Sequence, residues 1–178
     1  MPWVFFFIFA SRCLVWYTRG VNRRILVLAG SERDYDKVKE GLEFLKEMDV
    51  PFVFDVVSAH RSPERVVDYA RQAEQEGFRV IIACAGLSAH LPGVIAAHTT
   101  LPVIGVPLST GPLSGFDALL SIVQMPRGVP VATVGIDSVA NACILALEIL
   151  ALTDDEIKER VKLFKARRKE STIRIEYP

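Results

Sequence analysis

Cysteine is scarce in this sequence, and the little there is lies scattered. Three cysteines, Cys13, Cys84 and Cys143, occur in 178 residues, with no CxxC pair among them. An odd number at such separations makes neither a disulfide framework nor a structural zinc site, and it fits a reducing cytoplasm. Histidine is equally rare: His60, His90 and His98 are the only three, and they lack HxxxH spacing, so no metal is expected. Neither sign of charge is in excess. Twenty-one basic residues balance 21 acidic ones, so neither nucleic acid nor an anionic membrane is expected as a partner. The dinucleotide pattern GxGxxG, the P-loop and the GxSxG nucleophile elbow are all missing, which removes the usual signatures of nicotinamide enzymes, P-loop nucleotidases and serine hydrolases.

A long apolar run is missing too. Residues 1–17 read MPWVFFFIFASRCLVWY, but Arg12 breaks the run, and a membrane span needs about 20 apolar residues. The segment has no basic start of the kind a secretory signal carries. It reads as an extension, residues 1–20, outside a single domain that begins near Val21 and runs to the end. Apolar residues make up 51 % of the chain, and Ala, Val, Ile and Leu are dense from 80 to 152. That is more than a small monomer needs, and it points to a homo-oligomer.

From Arg24 onward, short β-branched runs alternate with helical periods. Strands are expected at 25–29, 52–57, 80–84, 103–106 and 131–134. Each is a continuous apolar run, the pattern of a parallel sheet covered on both faces. A helix over 34–48 places Val38, Leu42 and Leu45 on one side. A second opens with Ser62 as cap, Pro63 at the first position and Glu64 beside the positive end, buries Val66, Val67, Ala70 and Ala73, and stops at Gly77. Residues 139–152, VANACILALEILAL, carry one charge, Glu148, so this helix is expected to be buried on several sides, one of them by a neighbouring subunit. The last helix starts with a capping box at Thr153-Asp154-Asp155-Glu156 and ends in Lys165, Arg167, Arg168 and Lys169, which suit the negative end of its dipole. Strand and helix alternating in this way make an α/β, doubly wound parallel sheet with right-handed crossovers.

In such sheets ligands sit beyond the carboxyl ends of the strands. Three loops there carry unusual polar residues. Gly30-Ser31-Glu32-Arg33-Asp34 follows the first strand, where a hydroxyl and a helix start can meet an anion. Ser58-Ala59-His60-Arg61-Ser62-Pro63 follows the second. Its Arg61 suits a phosphate and its His60 is of the type suited to proton transfer, unless Arg61 pairs with a local acid and His60 merely caps a turn. Gly86-Leu87-Ser88-Ala89-His90-Leu91-Pro92-Gly93 follows the third, and the glycines let that loop move. His90 either touches the ligand or caps the next helix. His98 reads as an exposed helix histidine, and Cys84 and Cys143 as core thiols. The loops together describe an enzyme for a small phosphorylated substrate.

Four segments in this order and spacing carry a resemblance: GSxxD at 30–34, VSAHRSP at 57–63, AHLPG at 89–93 and SIVQMPxGVPVAT at 121–133. They closely resemble the N5-carboxyaminoimidazole ribonucleotide mutases, the mutase branch of the phosphoribosylaminoimidazole carboxylase catalytic-subunit family. The resemblance runs from about Arg24 to the end of the last helix. It implies a flavodoxin-like fold, a homo-octamer with active sites at subunit contacts, and a carboxylate moved from the exocyclic nitrogen of the ribonucleotide to ring carbon four. No cofactor, metal or ATP is implied. By motif, Ser31 and Arg61 would hold the phosphate with Ser58 beside them, and Asp34 would take the ribose hydroxyls. His60 would be the acid and base, on the pocket floor, with His90 on a lid closing over the imidazole.

Some positions depart from the family pattern. Arg33 stands where many members have a second serine, and Cys84, Leu87 and Ser88 occupy positions usually filled by smaller residues, which would narrow the pocket or shift the lid. Residues 135–139 differ as well. Two rival functions stand beside the mutase: direct carboxylation of aminoimidazole ribonucleotide with carbon dioxide, and a non-catalytic ribonucleotide-binding module. Phosphate holding needs neither His60 nor His90, and their presence argues against the second.

Overall fold

The computed structural model describes residues 24–169, so the expected extension at 1–20 lies outside the described residues. Five strands form one sheet: β1 (Ile25–Ala29), β2 (Phe52–Val56), β3 (Val80–Gly86), β4 (Val103–Leu108) and the short β5 (Ala132–Thr133). All neighbouring pairs are parallel, in the order β2-β1-β3-β4-β5. This is the flavodoxin-like order. Six α-helices connect and cover the strands: α1 (Tyr35–Glu47), α2 (Pro63–Gln72), α3 (Leu91–Ala96), α4 (Phe116–Val123), α5 (Val139–Leu150) and α6 (Asp155–Lys169). Among the described residues, no helix is long and apolar enough to cross a membrane.

The inner strands β1, β3 and β4 are apolar at every position because both faces of the sheet are covered there, while the edge strand β2 is half-buried and carries Asp55. Successive side chains of β1 point to opposite faces. Ile25, Val27 and Ala29 pack in one core with residues of α1, α5 and α6, while Leu26 and Leu28 pack in the other with residues of α2, α3 and α4. Each fully buried Leu or Ile stabilises the fold by about 1.5–3 kcal/mol relative to exposure. A polar substitution at any of these positions therefore strikes a layer.

The helices follow local chemistry. The chain leaves α1 through Asp49 in a left-handed conformation (φ 51°), while the Val50 N–H donates to the Leu45 carbonyl. Val66, Ala70 and Ala73 of the α2 segment are buried as expected, Val67 only half so, and the chain turns at Gly77 (φ 89°) after a helix that ends at Gln72. Two expectations about caps need correction. Ser62 stands at the cap position of α2 but makes no side-chain cap bond. The cap of α6 is Asp154, whose Oδ1 accepts from the Ile157 N–H at 3.1 Å, while the Thr153 hydroxyl donates back to Leu150.

The apolar helix α5 finds most of its cover inside the chain. Val139, Ala142, Cys143, Ala146, Leu147 and Leu150 are buried in the core that α1 and α6 share with it. The α1 contact is close: a side chain at Gly41 would stand 2.4 Å from Val139 Cγ1. The return of α6 across α5 accounts for a side that the sequence left for a neighbouring subunit, and Lys165 of α6 pairs with Glu148, the one charge on α5. Large apolar groups are left in solvent just past the end of α5 at Leu152, on α6 at Leu163, and most densely at α4. Leu113 and Phe116 are each 60 % exposed, and Leu120 and Val123 continue the same face of α4.

Candidate active site

Strands β1 and β3 are neighbours, yet the chain goes from β1 outward to β2 before returning to β3. Loops at their carboxyl ends therefore diverge and leave a crevice, which is where this architecture binds ligands. The three loops singled out by sequence leave β1, β2 and β3 at that end.

After β1, Ser31 is extended and its hydroxyl accepts from the Arg33 N–H at 3.3 Å, shaping a 3₁₀ turn at Glu32–Asp34. Asp34 is only 5 % exposed. Burial pushes its carboxyl above the usual carboxylate range, and the opposing pull of the Ser31 backbone and of Lys37 does not cancel that. After β2, Ser58 folds its own loop. Its hydroxyl accepts from the Arg61 N–H at 3.3 Å and its carbonyl from the Ser62 N–H at 2.9 Å. The uncapped Ser62 hydroxyl stays available at the positive end of α2, where the first helical N–H groups have no partner within the helix.

Between these two loops lies an open cleft of about 410 Å³. Ser31, Ser58 and Ser62 line it, together with Arg33, Arg61, Arg65 and Glu32. Hydroxyls, guanidiniums and a helix start converging in one place describe a site for a compact anion. Neither Arg33 nor Arg61 forms a salt bridge with a described residue, so the alternative of a local acid for Arg61 falls away. Ser62 and Arg65 were not singled out as site residues. The readable signal was spacing, since Arg65 follows Arg61 by four positions at the start of a helix.

The two loop histidines meet. His60 Nε2 stands 2.9 Å from His90 Nδ1, with the rings edge-to-face at 4.9 Å between centroids. His90 stands at the cap position of α3 but makes no side-chain cap bond. Both imidazoles are exposed. His60 is thus exposed beside the cleft rather than buried on its floor, and it is not among the residues that line the cleft.

The loop after β3 is held by the loop after β4. A side chain at Gly86 would overlap Thr110 Oγ1 at 1.7 Å, and one at Gly111 (φ 79°) would meet Leu87 Cδ2 at 2.4 Å. Leu87 is itself left-handed, at φ 53°. Below, three distant segments are tied together. Lys37 Nζ of α1 donates to Ser109 Oγ at 2.7 Å and to Asp137 Oδ2 at 2.9 Å, while Asp137 also accepts from the Ser109 N–H at 2.9 Å and from its hydroxyl. Partial burial would raise the Asp137 carboxyl, but these bonds from Ser109 and Lys37 outweigh it and hold it below the usual range. Residues 135–139 thus carry one end of a clamp.

The remaining candidates fall outside the site. His98 Nδ1 lies 2.9 Å from the Val94 carbonyl and is half-buried. Cys84 and Cys143 are core thiols, and burial pushes both up, Cys143 to about 12. Cys84 faces the core rather than the cleft, so it does not narrow the pocket, and neither Leu87 nor Ser88 lines the cleft.

Residues 24–171 match the family described as AIR carboxylase. The sequence is 53 % identical over 142 residues to an N5-carboxyaminoimidazole ribonucleotide mutase of Pyrococcus abyssi, covering 80 % of this chain and 82 % of that protein. It is 51 % identical over 147 residues to a phosphoribosylaminoimidazole carboxylase of Schizosaccharomyces pombe, covering 83 % of this chain and 27 % of that longer protein. In fold it is similar to the crystal structure of Treponema denticola PurE, with a TM-score of 0.75, 27 % identity, and coverage of 83 % of this chain and 92 % of the other.

Proposed function

The chain belongs to the AIR carboxylase family, and from that premise we propose that it moves the carboxylate of N5-carboxyaminoimidazole ribonucleotide from the exocyclic nitrogen to ring carbon four, a step of purine biosynthesis. The observation that carries this reading is the contact of His60 Nε2 with His90 Nδ1 at 2.9 Å, in loops adjoining a cleft lined by Ser31, Ser58 and Arg61. Such a contact needs one donor and one acceptor, so the two facing nitrogens share a single proton. The reaction needs that arrangement. A proton must reach the exocyclic nitrogen as carbon dioxide leaves, and a proton must leave carbon four after carbon dioxide adds back. A group that acts first as acid and then as base must titrate near the working pH, as imidazole does. His60 takes that role, with His90 beside it at the imidazole end. Ser31, Ser58 and Arg61 hold the phosphate, and Asp34, buried next to them, meets the ribose hydroxyls.

The domain begins near Val21, with residues 1–20 outside it, and the protein works in the cytoplasm as a homo-oligomer, an octamer by family. The exposed Leu113, Phe116, Leu120 and Val123 supply the apolar face for assembly. Direct carboxylation of aminoimidazole ribonucleotide is a second reading, favoured by similarity to the phosphoribosylaminoimidazole carboxylase of Schizosaccharomyces pombe. Purified protein given each ribonucleotide separately distinguishes the two. The mutase reading expects the 4-carboxy product from the carboxyamino substrate without added bicarbonate. Product only from aminoimidazole ribonucleotide plus bicarbonate would assign the carboxylase instead.

A further inference from the structure

Three guanidiniums line the cleft, and the phosphate reading above uses one of them. Arg61 comes from the loop after β2, Arg65 from the first turn of α2, and Arg33 from the turn after β1. A phosphate monoester carries a charge of about −1.5 to −2 at neutral pH. Arg61 alone leaves much of that uncompensated. Three guanidiniums less the one carboxylate of Glu32 give the lining a net charge of about +2, which matches the dianion.

The backbones of two of the three are placed by local structure. Arg65 shares α2 with Tyr69, whose hydroxyl donates to Asp55 on β2. That bond ties α2, and with it the backbone of Arg65, to the sheet beside the cleft. Arg33 follows directly from the Ser31 turn, whose hydroxyl holds its backbone N–H at 3.3 Å. The turn that leaves β1 thus offers a permanent charge on a long side chain.

We propose that Arg33 and Arg65 bind the substrate phosphate together with Arg61, and that the cleft thereby selects a dianionic phosphate monoester over the monoanion. This rests on the reading of the cleft as the phosphate site. A fork of donors on each guanidinium gives bidentate contact with phosphate oxygens, which serine or lysine does not reproduce.

The test uses ribose 5-phosphate as the probe, titrated calorimetrically into the full chain and into Arg33→Ser, Arg65→Ala and Arg61→Ala. Titrations are made at pH 5 and pH 7.5, on either side of the phosphate's second pKa of about 6. Arg33→Ser and Arg65→Ala should each weaken binding about tenfold or more at pH 7.5, raise KM with kcat nearly unchanged, and shrink the preference for the higher pH. Arg33→Lys should recover part of the loss, and unfolding temperatures should stay at the parent value. Wild-type affinity and pH preference in Arg33→Ser and Arg65→Ala, with Arg61→Ala still weakened, overturns the proposal and leaves the phosphate reading standing. Wild-type affinity in all three variants overturns both.

Discussion

Two histidine nitrogens 2.9 Å apart can share a proton but cannot each keep one without repulsion. That makes His60 the most exposed test of the chemistry. His60→Asn keeps a hydrogen-bonding side chain of similar size and removes the titrating nitrogen. Ribonucleotide affinity should stay close to the parent's, while kcat falls about a hundredfold or more. Because His60 is exposed, the unfolding temperature should hold. Asp34 poses the opposite problem. It is the one buried charged or polar residue among those described, and burial raises its pKa from 3.8. A carboxyl raised in the folded state costs stability once ionised: the cost is absent well below 3.8 and is fully present above the folded value. Asp34→Asn should therefore match or exceed the parent in unfolding temperature at neutral pH and bind substrate more weakly. A clear loss of stability at neutral pH would show that the carboxylate is a structural strut instead.

At the scale of elements, the loops after β3 and β4 behave as one piece, since Gly86 leaves no gap against Thr110 and Leu87 lies over Gly111. The clamp of Lys37, Ser109 and Asp137 fixes that piece to α1. Asp137 is held below its ordinary 3.8, so its contribution is present above 3.8 and is lost as pH falls through the lower folded value. Asp137→Asn should lower the unfolding temperature at neutral pH, and the gap to the parent should close in acid. A gap that is unchanged from pH 7 to pH 2.5 would place the effect in packing rather than charge. None of this clamp was legible in sequence, because its partners are 28 to 100 positions apart and none belongs to a loop motif. The strands, in contrast, could be read almost residue by residue, because a sheet covered on both faces demands apolar residues at every position. β5 is shorter than expected, at two residues, and helix α4 lies outside the expected elements. The histidine contact joins positions 30 apart, so sequence supplied both residues but not their meeting.

For the whole molecule, the surplus of apolar residues was visible in composition, but its location was not. The expectation pointed to α5, which α1 and α6 cover. The exposed stripe is on α4, where Phe116, Leu120 and Val123 recur at helical spacing beyond Leu113. Each large apolar side chain covered there gains about 1.5–3 kcal/mol. Phe116→Arg should reduce the particle mass seen by light scattering at micromolar concentration while the unfolding of the isolated subunit remains cooperative. An unchanged mass would move the interface off α4.

The central claim is that one carboxylate travels from nitrogen to carbon within a single site. It is tested most directly by supplying N5-carboxyaminoimidazole ribonucleotide with a labelled carboxylate in an excess of unlabelled bicarbonate. The released carbon dioxide stays between the histidine pair and the substrate ring in this account, so most of the label should arrive at ring carbon four. Product whose label has equilibrated with the bicarbonate would contradict the account and assign direct carboxylation in its place.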